Sequence, residues 1–354
     1  MAQVLKKCLV KSINGRLLYL IGRRGLVFKN MSFIDVDLET GNTSVIVSLP
    51  VNAKTRLFSR IRLLNRIMRL EPRCAGRLDE HLFIVNVVGK VWLLDVQKKE
   101  VRVLLNLREG FSVLNFCEKD GSVYWGDYGV NPDYDEINIY RLDGDLKLSV
   151  VYSFPKGDIR HIHNIIKDSD EFVVLAGDNE PQAGIYRFNS DWSEVKPWKI
   201  GQQKYRAVVA FPCNGGLLYA TDSVETENHI RFISANGEES ILSSLNGSCI
   251  YGCETHNDYI FSTTVEPHEG GGKLALFSNK LGGGIKSREV TMVAVSKKDL
   301  SVRQVASFKK DGWPMKLFQY GRCIFAEGQE NANSVWCSPA ACRHYDGKTI
   351  RIDI

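Results

Sequence analysis

The chain has 354 residues, 44% of them hydrophobic and 10% aromatic, enough to bury a large core. With 46 basic and 41 acidic residues its net charge is +5, too small an excess to mark a nucleic-acid-binding surface. The nine cysteines (Cys8, Cys74, Cys117, Cys213, Cys249, Cys253, Cys323, Cys337 and Cys342) are odd in number and lack paired C-x-x-C spacing, which argues against a disulfide scaffold or a zinc ribbon. Most fall inside apolar strand patterns, where a reduced thiol packs as a small hydrophobe.

Residues 1–12 contain no apolar run long enough for a secretory leader, and no later stretch approaches eighteen apolar residues. A reduced, cytoplasmic protein is expected. Further on, Leu57, Ile61, Leu64 and Met68 recur at helical spacing among Lys54, Arg56, Arg60, Arg62, Arg66 and Arg69, and Glu71-Pro72 stops the run. This predicts a basic amphipathic helix over residues 53–73, inserted between strands. It suits either packing against the fold with solvated arginines, or peripheral contact of residues 56–69 with an anionic membrane or a lipid-linked glycan.

A longer unit then recurs. An inner strand leads through a tight turn, such as Lys119-Asp120-Gly121 or Cys213-Asn214-Gly215-Gly216, to a second apolar strand with a polar end. A loop, a third strand, a turn and a fourth strand complete it. The polar ends are Asp127, Asp178, Asp222, Thr264 and Glu327, at steps of 51, 44, 42 and 63 residues. Strand repeats of this length are the mark of a β-propeller. The expectation over residues 1–354 is a single all-β domain of seven four-stranded blades, with six as the alternative. The blades start near residues 2, 76, 110, 158, 202, 248 and 312, and a chain terminus completes the last one, since an open ring leaves an unpaired edge. Residues 268–288, with Gly270-Gly271-Gly272 and Gly282-Gly283-Gly284, read as a glycine-rich insertion over the site face, either unstructured or a lid.

In a propeller blade the first strand runs down and the second runs up, so the start of one and the end of the other share a face. That gathers Arg160, His161, His163, Lys204, Tyr205, Arg206, Tyr251 and Lys316 with Asp127, Asp178, Asp222, Glu266 and Glu327. His161 and His163 are two apart and point to one side of a strand. With Asp178 they form a candidate divalent-metal site; acid/base or packing roles are the alternatives. Arg206 suits a substrate carboxylate, or an ion pair with Asp178 or Asp222. The candidate catalytic set is therefore His161, His163, Asp178, Tyr205, Arg206 and Asp222. Candidate substrate contacts are Arg160, Lys204, Asp127, Tyr251, Glu266 and Glu327. No cofactor beyond a divalent metal is implied, and no nucleic-acid partner.

Arg160-His161-Ile162-His163-Asn164, Ala176-Gly177-Asp178, Gly184-Ile185-Tyr186, Lys204-Tyr205-Arg206-Ala207, Thr221-Asp222 and Thr263-Thr264-Val265-Glu266-Pro267 together resemble sialidase-like, glycosidase-type β-propellers associated with bacterial polysaccharide gene clusters. Leu142-Asp143-Gly144-Asp145 and Ser190-Asp191-Trp192-Ser193-Glu194 look like eroded forms of the turns that brace such blades on the face away from the site. The resemblance implies cleavage of glycosidic bonds in an acidic bacterial poly- or oligosaccharide. A hydrolase would use two of Asp127, Asp178, Asp222 and Glu266. A uronate lyase would use Arg206 on the carboxylate and His161, His163 or Tyr205 on the C5 proton. The alternative is a non-enzymatic propeller that binds a glycan or a partner in capsule or exopolysaccharide biosynthesis.

Overall fold

Arg16–Ile21, Arg24–Lys29, Ser32–Asp37 and Thr43–Ser48 form the first of seven four-stranded antiparallel blades in the computed structural model, which describes residues 12–270, 273–329 and 333–354. Blades 2 to 6 follow over residues 74–106, 117–154, 162–200, 207–245 and 249–309, each pairing its strands in chain order from the channel outward. Blade 7 combines Arg322–Phe325, Ser334–Ala340 and Lys348–Asp353 with Ser12–Asn14, and Ser12 pairs with Ile350. The N-terminal strand thus covers the outer edge of the last blade instead of opening the first, whose inner strand starts at Arg16. Cys8 lies outside the described residues; the other eight cysteines are unpaired, and seven of them are buried.

Each blade is sandwiched between two neighbours, so its second strand is buried on both faces. Ser122–Gly126, Gly216–Thr221 and Asp258–Thr263 are buried throughout, whereas an outer strand such as Glu239–Leu245 is buried only at its last residue. Trp125, Tyr219, Phe33, Phe83, Phe172 and Phe261 fill the spaces between blades without solvent access. Truncating one of them to alanine should cost roughly 3–5 kcal/mol. The turns on one side of the ring are held by their own aspartates: Asp37, Asp79, Asp95, Asp143, Asp191 and Asp299 each accept from a backbone N–H two residues on. Trp192, beside Asp191, stacks on Phe172 at 4.4 Å. The eroded turns therefore brace blades on the side opposite the longer connections.

The segment expected as one helix is two, α1 (Ala53–Arg60) and α2 (Arg62–Ile67), separated by the extended residue Ile61. The break resets the helical phase. Ser59, Asn65 and Arg66 face inward while Leu57, Ile61 and Met68 are exposed, the reverse of the amphipathic expectation. Arg66, 2% exposed, donates to the Phe318 carbonyl at 2.6 Å and pairs with Asp311; Arg62 pairs with Asp346 at 2.6 Å. These bonds pin the helices to connections before and within blade 7. No helix among the described residues is long and apolar enough to cross a membrane.

Within the insertion at 268–288, Gly271 and Gly272 lie outside the described residues. The second glycine run is packed rather than hinged. A Cβ at Gly284 would come within 1.9 Å of the Thr226 carbonyl, and the Gly284 N–H donates to Val224 at 2.9 Å. Glu225 accepts from the Glu269 and Gly283 N–H groups and sits 2.9 Å from His268. The described part of the insertion is a strap from blade 6 onto the loop of blade 5.

Candidate active site at the channel mouth

The inner strands surround a central channel with a cavity of about 440 Å³, lined by Arg16, Arg73, Asn164 and Tyr251 among others. At the end where inner strands begin, two glycines let the chain approach closely enough to place His161. A Cβ at Gly126 would come within 2.5 Å of Ile162, and one at Gly129 within 2.6 Å of the Gly110 carbonyl. The short ladder Phe111–Ser112 with Tyr128–Gly129 then presents the Gly129 carbonyl to His161.

His161 Nδ1 lies 2.8 Å from Gly129 O, and His163 Nδ1 lies 2.9 Å from Ala207 O. A carbonyl only accepts, so each Nδ1 carries the proton and, in the neutral rings, each Nε2 offers a lone pair. Those two Nε2 atoms are 3.0 Å apart, and Asp178 Oδ1 is 3.2 and 3.1 Å from them. Three acceptors this close need a positive species between them. One extra proton would serve, and so would a divalent cation. The cation matches the geometry: for bonds of about 2.1 Å, ligands at right angles stand about 3.0 Å apart. A histidine that donates its other N–H to a carbonyl is also the usual arrangement of a metal ligand. Burial alone would raise the Asp178 carboxyl, but hydrogen bonding with the His161 and His163 rings outweighs it and holds the carboxyl well below the usual carboxylate range.

Arg160 and Arg206 flank this cluster, 3.7 and 3.4 Å from Asp178. Arg206 also reaches Asp222 at 3.5 Å. Asp222 is raised to about 6, by burial first, with Arg206 pulling down and Glu266 pushing up. Its Oδ1 is buried without a partner. Glu266, half-buried just beyond the second strand of blade 6 at the mouth end, accepts from the Ser248 and Thr264 hydroxyls; burial raises its carboxyl too.

The rest of the mouth is basic and aromatic; sequence reasoning named Tyr251 there but missed Arg16, Arg73, Arg322, Tyr128 and Tyr320. Arg16 and Arg322 begin their inner strands, Arg73 and Arg206 precede theirs by one residue, and Arg160 by two. Five of seven blades thus bring an arginine to the same point. Arg73 lies 5.3 Å over the Tyr128 ring, which is itself 4.4 Å from the His161 ring, and Arg322 lies 5.4 Å over Tyr320. Arg16 donates to the Arg73 carbonyl at 2.7 Å. Among the described residues, Arg16, Arg69, Arg73 and Arg322 have no carboxylate within salt-bridge reach. Arg69, which follows α2 with φ of 52°, is lowered by burial and then by the like charges of Arg73 and Arg322. The hydroxyls of Tyr128, Tyr251 and Tyr320 have no hydrogen-bond partner among the described residues. The available signal was the alignment: Arg73 stands to Cys74 as Arg206 does to Ala207.

Several sequence candidates lie elsewhere. Tyr205 and Lys204 both bond Glu239, at 2.6 and 2.8 Å, because the 3₁₀ turn Gln203–Tyr205 before the strand turns them into the wall between blades 4 and 5. Asp127 is engaged by Arg108 and the Asn138 N–H. Lys316 donates to the Gly270 carbonyl. Glu327 is at the opposite end of the channel. It follows the inner strand of blade 7, not the second strand, which is why its step in the repeat was 63 residues. There burial, with Glu118 nearby, raises it to about 7.

No protein-family model matches this sequence, and no curated protein matches it. Among solved structures the chain is similar to an oligogalacturonate lyase in complex with manganese (TM-score 0.55, 9% identity, 98% of this chain and 91% of that one). It is also similar to an oligogalacturonate lyase from Vibrio parahaemolyticus (0.52, 10%, 96% and 89%). The AfRom2 CNH domain is comparably similar (0.57, 8%, 97% and 94%). At these identities what is shared is the fold: this chain is a seven-bladed β-propeller.

Proposed function

We propose that the protein is a carbohydrate-active propeller that cleaves acidic oligosaccharides at this mouth, by β-elimination next to a uronate. One observation carries the reading: arginines without carboxylate partners ring a mouth that also holds a buried His-His-carboxylate cluster. Guanidinium groups of this kind grip sugar carboxylates. The oligogalacturonate lyases that share the fold make an oligouronate the first substrate to try.

Elimination removes the C5 proton, expels the oxygen at C4 and leaves a C4–C5 double bond. Arg73, which meets no carboxylate of the protein, neutralises the uronate carboxylate, with Arg206 held beside it by Asp178 and Asp222, and this makes the C5 proton acidic. The histidine Nε2 atoms are turned onto each other and buried, and Tyr205 is remote, so the proton falls to a half-buried group at the mouth end. Glu266 is that group, a carboxylate raised toward useful basicity. Burial also raises the Tyr128 phenol, which therefore keeps its proton at neutral pH and can donate it to the departing oxygen. His161, His163 and Asp178 fit a divalent cation, whose charge would stabilise the negative charge developing on the carboxylate.

A hydrolase is the second reading, favoured by Asp222 and Glu266, two carboxyls both raised by burial, with Glu266 raising Asp222 further. Incubation with oligouronates separates the readings. New reducing ends with the ultraviolet band of an unsaturated uronate support elimination, and reducing ends without it support hydrolysis. Binding with no new ends would leave a glycan-binding module, and failure with every acidic oligosaccharide would sink all three.

A further inference from the structure

The two sides of the ring differ in what they expose. Thirteen large hydrophobic side chains are exposed among the described residues. Nine of them lie in connections on the mouth side, four on outermost strands, and none in the aspartate-held turns opposite. Six of the nine fall in one tract: Leu57, Ile61 and Met68 on the α1–α2 pair, Trp313 in the connection to blade 7, and Leu276 and Phe277 in the strap from blade 6. Phe277 is 65% exposed, Leu57 55% and Trp313 46%.

The tract is continuous and fixed. Arg66 bonds the Phe318 carbonyl, Gln319 bonds the Arg66 carbonyl, and Asn279 bonds the Gly312 carbonyl at 3.3 Å. The Trp313 ring lies 5.1 Å from Phe318. With Arg62 and Arg66 held inward by Asp346 and Asp311, the helices cannot roll to bury Leu57 and Ile61. Its charge is one-sided as well. Residues 53–70 carry six basic side chains and no acidic one, and Lys54 and Arg60 point to solvent. Exposed Trp, Phe and Leu beside unpaired Lys and Arg on short helices is the composition of a surface that lies in the headgroup region of a membrane.

We propose that the protein docks on anionic membrane surfaces through this tract, with the α1–α2 pair and the strap from blade 6 seated among the headgroups. Docking uses none of the residues assigned to cleavage, so each proposal stands or falls without the other.

The full chain is sedimented with vesicles of phosphatidylcholine alone and of phosphatidylcholine with phosphatidylglycerol, at low and high salt. It should pellet with the anionic vesicles, more weakly at high salt. The pair K54E and R60E should weaken binding by about fivefold or more per residue. The pair W313S and F277S should weaken it at both salt concentrations, with cleavage of a soluble oligouronate unchanged. All four residues are exposed, so unchanged far-ultraviolet circular dichroism and an unchanged melting temperature are expected to show intact folding. Equal sedimentation of parent and variants, or none with anionic vesicles, would overturn the proposal. So would a homodimer in light scattering that W313S and F277S dissolve, since a second copy would then cover the tract.

Discussion

The two halves of the channel mouth use one residue type at one strand position to different ends. In blades 4 and 5, Arg160 and Arg206 meet Asp178 and Asp222, so charge is balanced from within. In blades 1, 2 and 7, Arg16, Arg73 and Arg322 meet a backbone carbonyl, tyrosine rings and the Gln319 side-chain amide instead. A partly desolvated guanidinium without an anion is costly, and such costs persist where a ligand relieves them. One half of the mouth is therefore organised for reaction and the other for binding an anion.

The largest effect should come from the reacting half. H161A or H163A removes a candidate ligand, and the rate should fall by at least about 100-fold, since even outer partners of metal ligands are worth 10–100-fold. Elemental analysis of the dialysed protein should show metal in the parent and none in the variants; equal metal content would break the assignment. In the binding half, R73A or R322A should raise KM for an acidic oligosaccharide by roughly tenfold or more, the worth of one charged hydrogen bond. R322A should leave kcat nearly unchanged, whereas R73A should lower kcat as well, because Arg73 also helps to acidify the C5 proton; steady-state kinetics would check both.

A smaller effect sharpens how the halves meet. Asp222 must be ionised to hold Arg206, so kcat/KM should fall as pH drops through about 6, and D222N should lose that acid limb. For stability the sign is opposite. The native carboxyl binds its proton more tightly than the unfolded one, so its contribution is full below about pH 4 and is lost as pH rises through about 6. D222N should therefore melt higher than the parent at pH 7. Smallest of all, Y205F should leave activity within about threefold and cost about 1 kcal/mol, the bond to Glu239.

Much of the fold was legible because each blade repeats its turns and its doubly buried second strand at near-constant spacing. The register failed where the spacing stretched. At 63 residues the strand counted as second in blade 7 was the inner one, and Glu327 moved to the far end of the channel. The histidine pair was legible from its spacing along one strand, and Asp178 from its place at the neighbouring strand end. Tyr128 was hidden because it lies in a two-residue ladder beyond a strand end, where no periodicity speaks. The helical wheel over residues 53–73 misled because one extended residue, Ile61, shifts the phase of everything after it.

Calorimetric titration of the protein with an oligouronate and with its methyl ester tests most directly whether this mouth takes an acidic sugar. The ester lacks the carboxylate charge that the arginines would meet and adds one methyl group. The acid should bind, the ester should bind far more weakly, and R73A should shrink the difference. Equal binding of acid and ester, or a difference untouched by R73A, would contradict the account.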